Sequence, residues 1–250
     1  MFMFYVILLN KDILLIESKI LLLIFFTSIV VITPILWTIY GCVQYGVLKY
    51  INFSVLEVGP GTGNNVQYYR DKASEITLLE INKHMANSLK FKFEEDKKVI
   101  VQNSDIYSQE RKFDTILYMD VLEHIEDDKK EINRALEQLK PGGNIVFFVP
   151  AYQFLYSDFD KAIGHVKRYS KHFFLTFKED KRISIIELKY FDSIGFFMAV
   201  LNKLFNKDKK ETIGLGVKIW DKLIFLSKIM DLIFLNKFGK SLLCVMKKNT

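Results

Sequence analysis

The chain has 250 residues, half of them hydrophobic, and carries a formal net charge of +6. That length suits one α/β domain with a buried core plus an appendage, and a composition so rich in Phe, Ile and Leu excludes a disordered chain. Its two cysteines, Cys42 and Cys244, lie far apart in apolar surroundings, which leaves no disulfide framework and no cysteine spacing for a metal.

From Ile20 to Leu48 no residue is charged. At about 1.5 Å per residue such a helix would exceed the roughly 30 Å hydrocarbon core of a bilayer. Pro34 interrupts it, so residues 1–35 are read as a hydrophobic segment, a candidate transmembrane helix, and 36–250 as the globular domain. A basic n-region and a small-residue cleavage site are both missing, which argues against a signal peptide.

Next comes Val55-Leu-Glu-Val-Gly-Pro-Gly-Thr-Gly63, an apolar run that stops in a glycine loop and opens a helix. Glycines there let the backbone turn sharply and approach a ligand with no Cβ in the way. A second apolar run ends at Glu80, which places a carboxylate at the tip of the adjacent strand to hold ribose hydroxyls. The pattern is that of a nucleotide-cofactor site. A dinucleotide fingerprint wants Gly or Ala at position 64, where this chain has Asn64, so an NAD-linked dehydrogenase is disfavoured.

Apolar runs predict strands near 54–59, 75–80, 98–103, 113–119, 143–149, 183–190 and 241–247. Helices should begin near Thr62, Lys83, Asp128 and Lys171, with at least two more in 192–236. This alternation is the signature of a doubly wound parallel sheet, whose ligands sit beyond the carboxyl ends of the strands.

Glu57 before Gly-Pro-Gly-Thr-Gly resembles motif I of class I S-adenosylmethionine (SAM) dependent methyltransferases. The segments Phe113–Asp128, with its Asp-Val-Leu-Glu-His, and Leu139–Pro150, with its Leu-Lys-Pro-Gly-Gly, resemble later motifs of that family in the family's order, and Asn103-Ser-Asp105 falls where its third strand ends. These motifs cover residues 50–150, and the likeness is to the type 11, 12 and 23 members. Pro150–Tyr169 is similar to a bacterial and archaeal subgroup associated with glycan and lipid-linked pathways. The resemblance implies a Rossmann-like, doubly wound, seven-stranded and mostly parallel sheet with one antiparallel strand near its edge. An N-terminal hydrophobic helix would precede it, a helical insertion at 192–236 would come before the last strand, and 151–180 and 192–236 would cover the acceptor.

It also implies SAM as cofactor and a set of roles. Gly59, Gly61 and Gly63 would line its methionine part, with Glu57 orienting the loop or meeting the amino group through water. Glu80 would hold the ribose, Asp105 the adenine amino group, and Asp120 would border the sulfonium. Where the acceptor keeps its proton until attack, His165 and His124 are the candidate bases, because a neutral imidazole takes a hydroxyl proton near pH 7. Arg168 could instead dock an anionic acceptor. Asp120-x-x-Glu123-His124 has the oxygen and nitrogen donors of a metal site, and some relatives with Glu-x-x-Glu-His bind magnesium there; with no distant second ligand identified, a metal is the lesser reading and none is assigned.

After residue 200 there are eleven lysines against four acidic residues, interleaved with aliphatic and aromatic side chains. That suggests an amphipathic helix on an anionic membrane surface, against the plainer reading of a helix packed on the domain with solvated lysines. No arginine follows Arg182, so nucleic acid is not expected as a partner. The resulting expectation is a membrane-associated enzyme with its catalytic domain in the cytoplasm. It would methylate an oxygen, less readily a nitrogen, of a small or a lipid- or glycan-linked acceptor. The competing reading is a non-catalytic Rossmann-like scaffold in a membrane complex.

Overall fold

The computed structural model describes residues 47–205, 227 and 229–250. The segment 1–35, with its expected hydrophobic helix, lies outside these, as does much of the 192–236 insertion. Among the described residues no helix is long and apolar enough to cross a membrane.

Seven strands form one sheet: β1 (Ser54–Val58), β2 (Glu75–Leu79), β3 (Val99–Gln102), β4 (Phe113–Met119), β5 (Leu139–Pro150), β6 (Ile183–Phe191) and β7 (Ser241–Lys248). Their order across the sheet is β3-β2-β1-β4-β5-β7-β6. β1 is buried along its whole length, as are the last four residues of β2 and nearly all of β4. Strands covered by helices on both faces read as continuous apolar runs, which is why each was visible in the sequence.

The expectation of a mostly parallel sheet is corrected to a mixed one. Four pairings are parallel, but β7 runs antiparallel to both β5 and β6. The cause is connectivity, because the chain enters β7 at the end of the sheet where β6 finished. Ser241 consequently pairs with both Phe191 and Pro150.

Three of the helices start where side chains take up their first backbone amides. In α2 (Lys83–Lys92), Asn82 Oδ1 accepts from the amides of His84 at 3.0 Å and Met85 at 3.2 Å. In α3 (Asp128–Glu137), Asp127 accepts from Lys130 N at 3.2 Å, and Ile132, Ala135 and Leu136 face the core. In α4 (Asp158–Ala162), Ser157 and Asp160 form a capping box. α5 spans Lys171–Leu175 and α6 spans Ser193–Phe205, and a further helix includes residues 229–233.

The first helix, α1 (Val66–Tyr69), begins later than the expected Thr62. Gly63 N donates to Pro60 O at 2.8 Å and Gly63 has φ +68°, so the chain makes a tight turn before it can become helical. Two apolar clusters cover the two faces of the sheet, one centred on Phe113, Phe147 and Phe174 and the other on Val55, Leu78 and Phe148.

Candidate functional site

β1 pairs with β2 on one side and with β4 on the other, so the strand order reverses there and a crevice opens beyond their carboxyl ends. The loops after β1, β2, β3 and β4 meet at that end of the sheet, and with them Gly59 to Gly63, Glu80, Asp105 and Asp120.

Gly59 holds φ +63°, and a Cβ there would lie 2.8 Å from Val121 Cγ2, so only glycine lets the loop lie against the turn after β4. Gly61 holds φ +55°, but a Cβ on it would meet nothing within 4 Å. Its side faces open space, which leaves a cradle free of side chains. Gly63 closes the loop against α2.

Glu80 is 6% exposed at the tip of β2. Its Oε2 accepts from Gly61 N at 3.3 Å and its Oε1 from Asn82 N at 2.8 Å, so one carboxylate ties the glycine loop to the start of α2. A carboxylate has about four lone-pair sites, which leaves room for hydroxyl donors. Asp105 is exposed; its Oδ1 accepts from Ser108 N at 3.1 Å and Ser108 Oγ at 3.0 Å, capping a 3-10 turn. The open cradle beside acceptor-only side chains fits SAM, which presents hydroxyl and amino hydrogens.

Glu57 sits below this surface, 1% exposed. Its oxygens accept from Asn65 Nδ2 at 2.9 Å and Tyr69 OH at 2.5 Å, which fastens α1 to β1. Burial pushes its carboxyl up, and those two donors offset part of the shift. Asp120 is half-buried with φ +52°, at the point where β4 turns away from the sheet.

Asn103 belongs to the site although nothing in the sequence singled out its side chain. Its Nδ2 donates to Glu80 O at 2.7 Å and to Ile81 O at 2.9 Å, holding the tip of β2 against the end of β3.

On the other side of the crevice, the segment after β5 folds back over the turn after β4. Tyr152 N donates to Tyr169 O at 2.7 Å, Tyr169 N to Pro150 O at 2.8 Å, and Val166 N to Glu123 O at 2.7 Å. Tyr169 OH donates to Asp128 Oδ2 at 3.0 Å or to Leu122 O at 2.9 Å. His165 and His124 are thereby brought edge to face, with ring centroids 4.8 Å apart.

Asp160 organises this side and was missed as a functional residue. It is fully buried and accepts from Ser157 N and Oγ, His165 Nδ1, Arg168 Nε and Arg168 Nη2, each at 2.9 Å. Burial works against its charge, yet these donors and the Arg168 guanidinium hold its carboxyl below the usual range. The spacing Asp-x4-His-x2-Arg was the signal that could have found it. Arg168, expected as an anion dock, has spent two arms of its fork on Asp160.

Glu123 has zero exposure, and neither of its oxygens has a hydrogen-bond partner. Burial first, then the charge of Asp120, pushes its carboxyl well above the usual range. Its Oε1 lies 3.8 Å from His165 Nε2. Burial, then His165, lowers the imidazole of His124, whose Nδ1 lies 3.0 Å from Gly164 O.

No curated protein matches the chain in sequence. Among solved structures it is similar to the N-methyltransferase NodS from Bradyrhizobium japonicum WM9, at 13% identity and a TM-score of 0.53 over 85% of this chain and 94% of that one. A second NodS structure, in complex with S-adenosylhomocysteine, matches at 14% identity and a TM-score of 0.51 over 79% of each chain. A methyltransferase solved with the Haloferax volcanii Trm112 methyltransferase activator matches at 14% identity and a TM-score of 0.59, over 84% of this chain and 91% of that one. These likenesses establish the fold, while the family model described as "Methyltransferase domain" matches residues 35–192, more than half of the chain. The chain belongs to this methyltransferase-domain family, and is a SAM-dependent methyltransferase of class I fold.

Proposed function

We propose that the protein methylates an oxygen, in second place a nitrogen, of a small or a lipid- or glycan-linked acceptor at a membrane surface, with its catalytic domain on the cytoplasmic side. The observation that carries the choice of oxygen is the pairing of His165 with Asp160 on the acceptor side of the crevice. As assigned from that bond, Nδ1–H donates to Asp160, so Nε2 keeps its lone pair.

When bound, SAM supplies an electrophilic methyl carbon on a sulfonium. The chain's own residues then have three tasks. The loop of Gly59, Gly61 and Gly63, kept in place by Glu57 through α1, offers the cofactor backbone without side chains. Glu80 accepts from the ribose, Asp105 from the adenine amino group, and Asp120 borders the reacting end. His165 Nε2 takes the acceptor's hydroxyl proton as the oxygen attacks, with His124 as the second imidazole of that wall. The segment 151–180 shapes the acceptor side and excludes water; the sequence assigns 192–236 to the same side, and much of it lies outside the described residues.

The membrane part of the reading is supported by surface chemistry. Leu201 and Leu204 of α6, and Leu232, Ile233 and Leu235 after it, are exposed, and the last fifty residues carry eleven lysines. Apolar side chains beside lysines suit an anionic bilayer.

The test is to incubate the full chain with methyl-labelled SAM and membrane lipids, partition into organic solvent, and treat the product with base. Label in an organic-soluble, base-stable product is the expected result. Label confined to water-soluble products removes the lipid-linked acceptor, and a base-labile product indicates an ester oxygen. The His165→Ala chain should bind SAM as the parent does and turn over more slowly. Full activity in that variant on the same acceptor refutes the role of His165.

A further inference from the structure

We propose that Lys92, the last residue of α2, is a positioning residue for SAM, holding the glycine loop from outside the crevice in the shape that receives the cofactor. This role rests on the reading above in one respect, that the loop lines the methionine part. Gly59, Gly61 and Gly63, with φ of +63°, +55° and +68°, make a backbone that loses much conformational entropy when it is fixed, so its shape depends on what grips it. The start of the loop is gripped from β2 and its tip, by Gly59 N donating to Leu79 O at 2.8 Å and Gly61 N to Glu80 Oε2 at 3.3 Å. Its end is gripped by Lys92, whose Nζ donates to Thr62 O at 2.9 Å and to Asn64 Oδ1 at 2.9 Å.

A lysine in the last turn of a helix ordinarily serves that helix's own carbonyls. Lys92 instead crosses to a loop 30 positions earlier in the chain and straddles Gly63, bonded to the residue on each side of it. Leu89, Lys92 and Phe93 share one face of α2, at i, i+3 and i+4. A Cβ on Gly63 would lie 2.6 Å from Leu89 Cδ2 and 2.8 Å from Phe93 Cε2, so the loop is seated on that same face. The Lys92 ammonium also stands 5.4 Å from the centre of the Phe93 ring. Its charge reaches Glu57, the carboxylate that fastens α1 just beyond the loop, and counters part of the burial that opposes ionisation there. α2 thus works as a splint: Glu80 joins its first end to the start of the loop, and Lys92 joins its last residue to the end of the loop. A loop already held in its bound shape does not have to be ordered when the ligand arrives, which strengthens binding.

The experiment uses the full chain, with SAM titrated by calorimetry and methylthioadenosine measured by competition against labelled SAM. Methylthioadenosine has the nucleoside and the sulfur but lacks the amino acid. Lys92→Met, at an exposed position, keeps the length and helix preference of the side chain but removes its charge and donors. SAM should weaken about ten-fold and methylthioadenosine by no more than about two-fold, with the denaturant midpoint close to the parent's. Lys92→Arg retains charge and donors and should recover most of the SAM affinity. Asn64→Ala removes one of the two acceptors, so it should weaken SAM less than Lys92→Met does, and add nothing further in the Lys92→Met chain. Unchanged SAM affinity in Lys92→Met overturns the proposal. A loss that Lys92→Arg does not recover overturns it too, as do losses at Lys92 and Asn64 that simply add. Equal weakening of both ligands, recovered by Lys92→Arg, would keep Lys92 as a positioning residue and count instead against the loop lining the methionine part.

Discussion

At Gly61 the backbone conformation and the space beside it serve one purpose. A φ of +55° is strained for any L side chain, and the empty volume means that the glycine is not there for packing. Gly61→Arg should therefore abolish SAM binding in a calorimetric titration, at a stability cost of only about 1 kcal/mol in a denaturant melt. Glu80 acts by charge as well as position, since it accepts from the loop and from α2 at once. Glu80→Gln replaces one acceptor with a donor, and hydrogen bonds to charged groups contribute about 1.5–3 kcal/mol. The expected loss of SAM affinity is about ten- to a hundred-fold, with an unchanged affinity counting against Glu80 as a ribose ligand.

Among the elements, the joint between β6 and α6 holds two buried carboxylates. Asp192, with φ +65°, accepts from Gly195 N at 2.7 Å and Ser227 Oγ at 2.9 Å, while Asp231 accepts from the amides of Asp192 and Ser193. Burial pushes the Asp192 carboxyl up to about 6. A carboxyl raised in the folded state contributes stability that is fully present below about pH 4 and is lost as pH rises through its folded value. Keeping it ionised at neutral pH costs on the order of 3 kcal/mol, from about 1.36 kcal/mol per pH unit. Asn tolerates positive φ and can accept the same two bonds through its oxygen. Asp192→Asn should thus melt higher than the parent at about pH 8, with the gap narrowing at about pH 5. A gap independent of pH would show that the Asp192 charge does not limit this joint.

Over the whole molecule, one sheet carries both walls of the site. One wall of the crevice hangs from β1, β2 and β3, and the other from the turn after β4 and the segment after β5 that Tyr169 pins to it. A ligand held by one wall should then stabilise the described domain as a unit. At a hundred times its Kd, SAM should add about 2.7 kcal/mol and move a single thermal transition upwards. Two transitions, only one of them shifted by SAM, would mean that the walls unfold separately.

The chain pattern by itself located the seven strands: β1, β2, β4 and β7 are apolar runs buried over most of their length, while β3 and β6, at the two edges of the sheet, are only partly buried but keep apolar, β-branched sequences. It likewise located the glycine loop, Glu80 and Asp105, whose positions follow from where strands end. Other features depend on contacts between distant residues, and only the tertiary structure decided them. Asn65 and Tyr69 turn Glu57 inward. Asp160 spends the fork of Arg168 and orients His165. The return of the chain beside β5 makes the sheet mixed. Glu123 shows the division most plainly: its spacing from His124 is written in the chain, but its two unpaired oxygens beside His165 exist only once the segment after β5 has folded over it. Burial and partnership are set by what the fold brings together, which local pattern does not encode.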